Sequence, residues 1–156
     1  AYMTALGTQS SAATIPVTLK QTIDNEVSRG VADFVVPLCA TIHLSGSMLK
    51  IVACAIALMI MKGDAIVLSQ FVGFICLLGV TMVAAPGVPG GAIMAALGIL
   101  HSSLGFDASD QALMITLYIT MDSFGTACNV TGDGALTLIL TGYADRHGIT
   151  EKSKSE

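Results

Sequence analysis

Residues 71–104 carry the feature that most restricts this chain. Phe71 to Ala85 runs without a charge, Ala92 to Leu104 is a second short apolar run, and Pro86-Gly87-Val88-Pro89-Gly90-Gly91 separates them. No helix continues through that insert, because two prolines lack N–H donors and the glycines favour a turn. Each arm is shorter than the ~20 residues a helix needs to cross a bilayer. Two half-length helices meeting at a Gly/Pro tip describe a re-entrant hairpin, which survives at membrane depth only when buried in protein or facing a cavity. Composition supports the lipid setting. The 156 residues are 53% hydrophobic and 12% charged, against roughly 25% charged in a soluble domain, and mean hydropathy is +0.77. A multi-pass integral membrane protein is therefore expected. A net charge of −4 removes the case for a nucleic-acid partner, and the apolar content excludes disorder. Cys39, Cys54, Cys76 and Cys128 stand far apart in apolar runs without disulfide or zinc spacing, so they read as reduced packing residues.

The same plan recurs elsewhere. Val31 to Met61 is one long apolar segment whose middle, Thr41-Ile42-His43-Leu44-Ser45-Gly46-Ser47, collects a histidine, a glycine and three hydroxyls. Gly7 to Pro16 forms a small, hydroxyl-rich tip leading into a short helix that ends near Lys20 to Asp24. Asp110 to Gly142 is apolar with a polar centre, and Tyr143 to Glu156 is a charged, frayed tail. Paired interrupted hydrophobic segments point to a transporter binding site. Lys20, Arg29, Arg146, Lys152 and Lys154 fall on one side of this arrangement and Lys62 on the other. The positive-inside rule makes the first side cytoplasmic. The start at Ala1 and the few possible crossings suggest a piece of a longer protein.

Chemistry concentrates in the last segment. At ~100° per residue, Asp122, Thr126, Asn129 and Asp133 fall within about 60° of one another. Two carboxylates on a lipid-compatible helix each cost ~2.5 kcal/mol or more at bilayer depth without a partner, and an ammonium group or a metal cation is the obvious one. Lys50, one turn beyond Ser47, is open to two readings. It is a counter-charge to a substrate carboxylate or an aspartate, or its stem is buried while the ammonium snorkels to water.

Three motifs in order carry a family resemblance: Ser10-Ser11 followed by Thr14-Ile15-Pro16, Gly87-Val88-Pro89-Gly90, and Asn129-Val130-Thr131-Gly132-Asp133. Over residues 5–145 the chain resembles the dicarboxylate/amino acid:cation symporters, which include the glutamate transporters. The resemblance implies an all-α membrane fold, a partial inverted-repeat transport core of re-entrant hairpins and discontinuous helices. Residues 1–24 would end hairpin one, 31–61 form discontinuous helix seven, 70–104 hairpin two, 110–142 helix eight and 143–156 a cytoplasmic tail. The family's N-terminal scaffold, through which it trimerises, has no counterpart in these residues, and a homotrimer is expected of the full-length protein. The implied substrate contacts are Ser11, Ser47, Gly87, Val88, Asp122, Gly125, Thr126 and Asn129. Asp122 would take the substrate ammonium and Asn129 the α-carboxylate. Asp133, with carbonyls near Cys39, His43 and Asn129, would form one sodium site. Thr41, with carbonyls near Met82 to Ala85, would form a second, and hairpin two would gate them.

Departures from the family pattern carry information. The helix-seven motif Asn-Met-Asp-Gly-Thr appears as His43-Leu44-Ser45-Gly46-Ser47, which puts a further sodium site in doubt. His43, with a reference pKa of ~6.5, offers a proton in place of sodium as coupling ion. The arginine that reads an acidic substrate side chain is Gly125, and another arginine position is Gln9. Gly125 opens volume, so a neutral and long amino acid is expected, and similarity is greatest to the bacterial L-cystine uptake branch of the inner membrane. Sodium or proton symport of an amino acid is the expected function, with no enzymatic role and no cofactor beyond the coupling ion. The alternatives are an acidic amino-acid or dicarboxylate symporter, a non-transporting truncated fragment, and an intramembrane serine hydrolase built from Ser11, His43 and Asp122. The hydrolase lacks a GxSxG elbow.

Overall fold

The computed structural model describes residues 1–149, and these are all-helical, with no strand among the described residues. Tyr2–Thr8 forms α1, which ends on Gln9 in the left-handed region at φ 54°. Ser10 then caps α2 (Ser11–Asp24), its Oγ accepting from the Ala13 N–H at 3.1 Å. Pro16 lies inside α2 on its exposed side, so the expected Gly7 to Pro16 tip contracts to Gln9 and Ser10. Thr14, Thr18 and Thr22 form a buried row on α2, each hydroxyl donating to the carbonyl four residues back. That local bond lets polar side chains face a dry interior.

Residues 29–62 contain a run long and apolar enough to cross a membrane. They are interrupted at His43 and Leu44, which divide α3 (Arg29–Ile42) from α4 (Ser45–Lys62). Gly63, at φ 77°, closes α4 in the left-handed conformation that a glycine C-cap supplies. Helix α5 (Leu68–Val83) and helix α6 (Gly91–Leu104) flank the Pro/Gly tip and pack on one another. At 1.5 Å per residue they are about 24 and 21 Å long, short of a ~30 Å hydrocarbon layer. A reciprocal Asp107–Asp110 capping box starts α7 (Ala108–Thr120). Met121 separates it from α8 (Asp122–Arg146). Residues 110–142 thus form two helices divided at Met121. The expected tail begins later than residue 143, because α8 continues to Arg146; residues 150–156 lie outside the described residues.

Polarity runs inside out. Phe34, Leu49, Met61, Leu68, Val80 and Ile139 are exposed, while Lys50, Asp122, Asn129, Asp133 and Thr137 are buried. Lone exposed apolar residues need no explanation, but buried charges beneath an apolar exterior do, and lipid outside with a polar site inside supplies one. Helices α4 to α7 enclose an apolar cluster around Ile51, Phe74, Leu78, Ile93 and Met114. Helix α8 packs instead against α1, α2, α3 and α4, meeting α1 through an apolar patch of Ala5, Ala127 and Val130. All four cysteines are free: Cys39 and Cys54 are buried, Cys76 is exposed, and Cys128 is exposed although its Cβ lies against Gly46.

Candidate functional site

Four helix starts converge on one cavity. Gln9 and Ser11 of the α1–α2 connection line it, with Leu44 and Ser47 at the start of α4, Pro86, Gly87, Val88 and Ala92 around the start of α6, and Asp122, Thr126 and Asn129 of α8. Tyr118 completes the wall. Seven of the eight expected substrate contacts meet here; Gly125 stands just behind. Helix N-termini carry orphan N–H groups and partial positive charge, a natural seat for a carboxylate. In this structure protein groups satisfy several of them. Gly87 O accepts from the Ala12 N–H at 3.1 Å and the Ser10 hydroxyl at 2.8 Å, fastening the α5–α6 connection to the start of α2. Asn129 Oδ1 accepts from the Gly46 N–H at 2.8 Å, capping α4 from the neighbouring helix, while its amide donates to Ser47 Oγ at 3.0 Å. The Gly90 N–H donates to Asp122 Oδ2 at 2.9 Å. The cavity volume is about 10 Å³, about the size that admits one water.

Lys50 decides the character of this site. Its Nζ donates to Asp122 Oδ1 at 2.8 Å and lies 3.5 Å from the Tyr118 ring centroid. The lysine is buried, so it does not snorkel; its ammonium is the counter-charge to an aspartate. A side chain begun at Gly125 would meet Nζ at 2.9 Å. The open volume expected at Gly125 is therefore taken up by Lys50, whose long stem folds into the space a glycine leaves. Sequence reasoning missed Tyr118 altogether, although its position one helical turn before Asp122 was a signal.

The expected cation residues are only partly gathered. Asp133 is buried, and its Oδ1 stands 2.8 Å from His43 Nδ1. The imidazole is seated against Gly132, where any Cβ would run into the ring carbon Cε1. The Cys39 carbonyl accepts from the His43 N–H at 2.9 Å. Thr41 does not join them: it is exposed, and its hydroxyl donates to Leu38 O at 2.9 Å. Among the described residues no group of three or more His, Cys, Asp and Glu side chains could hold a metal ion. The serine–histidine–aspartate triad does not form, because His43 pairs with Asp133 and Asp122 with Lys50.

Comparison of the sequence with known proteins gives a family. The sequence profile described as the Sodium:dicarboxylate symporter family matches residues 1–143. Excitatory amino acid transporter 2 of Mus musculus is 33% identical over 134 residues, which cover 85% of this chain and 23% of the relative. Excitatory amino acid transporter 3 of Mus musculus is 32% identical over 158 residues, covering 100% and 28%. Neutral amino acid transporter B(0) of Rattus norvegicus is 27% identical over 144 residues, covering 92% and 26%. The chain thus spans about a quarter of the length of these relatives.

Proposed function

The chain belongs to the sodium:dicarboxylate symporter family, whose members are transporters rather than enzymes, and from that premise we propose that it forms the substrate-binding core of an amino-acid symporter. The convergence of Ser11, Ser47, Gly87, Val88, Asp122, Thr126 and Asn129 on one cavity carries the reading. A zwitterion needs an anion for its ammonium and donors for its carboxylate. Asp122 supplies the first, and the starts of α2, α4 and α6 supply the second. Release of Gly90 from Asp122 and of Gly87 from Ser10 would open the α5–α6 tip as a gate.

The substrate in this reading is L-cystine or another neutral amino acid, since Gly125 stands where the dicarboxylate members are expected to carry an arginine. Lys50 beside Gly125 favours a second reading, an acidic amino acid whose side chain meets that ammonium. Sodium is the coupling ion, held by Asp133 together with backbone oxygens of the broken helices. The resemblance to the family further implies a full-length protein that is a homotrimer in a bacterial inner membrane.

Uptake of labelled L-cystine into proteoliposomes tests the proposal. Uptake is expected to require external sodium, to fall to background in Asp122→Asn with membrane insertion intact, and to resist competition by aspartate. Unchanged uptake in Asp122→Asn overturns the role of that carboxylate. Competition by aspartate selects the acidic reading, and uptake driven by a pH gradient without sodium transfers the coupling to a proton.

A further inference from the structure

The carboxylate assigned to the substrate ammonium already holds an ammonium, that of Lys50. Exposure of the two side chains is 7% for Lys50 and 4% for Asp122, so water screens neither. A buried ion pair loses heavily when one partner is removed, and the loss is greater at bilayer depth. Asp122 would stand in that position each time a substrate ammonium departed. Lys50 is in reach and cannot diffuse away.

We infer that Lys50 is a tethered counter-cation that exchanges places with the substrate ammonium at Asp122. With substrate bound, Asp122 pairs with the substrate; once it is released, Lys50 returns and the unloaded site is neutral and closed. The unloaded core then crosses back without taking a cation from solution. This inference rests on the reading of Asp122 as the partner of an amino-acid ammonium.

Three observations favour exchange over a permanent pair. The cavity that remains with Lys50 in place, about 10 Å³, leaves no room for a second ammonium group beside the first. Tyr118 already presents its ring face 3.5 Å from Nζ, a partner that the cation keeps when a substrate ammonium takes Asp122, and the flexible lysine stem lets Nζ leave the carboxylate. Asp122 also joins the pair to the gate, because its other oxygen accepts the Gly90 N–H from the α5–α6 tip. Return of Lys50 and closure of the tip thus occur at one carboxylate.

Two transport modes separate the possibilities. Exchange of external labelled for internal unlabelled substrate keeps the site loaded, whereas net uptake requires the unloaded site to return. In the complete transporter in proteoliposomes, Lys50→Met and Lys50→Gln are expected to raise the ratio of exchange to net uptake on the order of a hundredfold, the rate equivalent of leaving a buried charge unpaired. Methylammonium inside the vesicles is expected to restore part of the net uptake of both variants and to leave that of the wild type unaltered. An unchanged ratio overturns the inference, and so does methylammonium without effect. Failure of both variants to insert would mark the pair as structural and overturn it equally. A wild-type protein that moves no amino acid in either mode overturns the underlying reading, and the inference falls with it.

Discussion

Asp122 and Asp133 lie on the same buried face of α8, and each meets a nitrogen at 2.8 Å, yet their surroundings differ. Lys50 reaches Asp122 from the first turns of α4 and is sealed in, with its ring partner Tyr118 also buried. His43 reaches Asp133 from the break between α3 and α4, and its side chain is 24% exposed. A lysine brings a point charge on a flexible stem, whereas an imidazole is charged only when protonated. One end of the polar stripe is therefore a closed ion pair with an internal cation, and the other is a pair that solvent can reach. Two carboxylates of similar burial acquire different chemistry from the element that supplies the partner.

Truncation of each aspartate tests that contrast most severely. Asp122→Ala strands the Lys50 ammonium and is expected to lower stability by about 3–5 kcal/mol. Asp133→Ala leaves a half-exposed imidazole and should cost about 1–3 kcal/mol, the range for an unsatisfied buried polar group. Thermal unfolding in detergent measures both, and equal losses would break the comparison. Asn129, between the two, caps α4 from outside. Asn129→Ala is expected to cost about 1–3 kcal/mol by leaving the Gly46 N–H unsatisfied.

The two glycines that seat the partners sharpen the same contrast. Gly132→Ala drives a methyl into the rigid His43 ring and should cost about 1–3 kcal/mol, the usual range for overpacking. Gly125→Ala meets only the far end of a flexible lysine and should cost less. A reversed order in melting temperature would argue that Lys50 is the more rigid partner. The smallest effect belongs to the half-buried pair of Lys62 and Asp110, 2.6 Å apart where α4 and α7 meet. Lys62→Met should leave the neutral-pH melting temperature almost unchanged; a large drop would place this pair with the buried ones.

Much of the architecture is legible in particular residues. Pro86 to Gly91 must end a helix, and α5 ends and α6 begins there. The spacing of Asp122, Thr126, Asn129 and Asp133 sets one helix face, and all four are buried. The stripe extends further than read, to Thr137 and Thr141, whose four-residue spacing continued the same face. The mistakes have a common origin. Thr41 looked polar at a helix break, but its hydroxyl had a carbonyl of its own helix in reach and took it. Gly125 looked like open volume because no local rule says what fills the space beside a glycine. Lys50 was open to either reading because periodicity gives a side chain a direction without giving it a neighbour.

By itself the amino-acid sequence determined that this chain belongs in lipid, where its helices break, and that two carboxylates share one face of the last helix. Those are consequences of missing N–H donors, helical period and the shortage of charge, all local or additive properties. Only the tertiary structure decided that Lys50 faces Asp122 and His43 faces Asp133. The partners stand 72 and 90 residues apart in the chain, and which nitrogen meets which oxygen depends on how α4 and the break before it cross α8. That crossing is set by close approach at Gly46, where a Cβ would lie 2.6 Å from the Gly125 carbonyl oxygen, and packing of this kind has no signature within either segment alone.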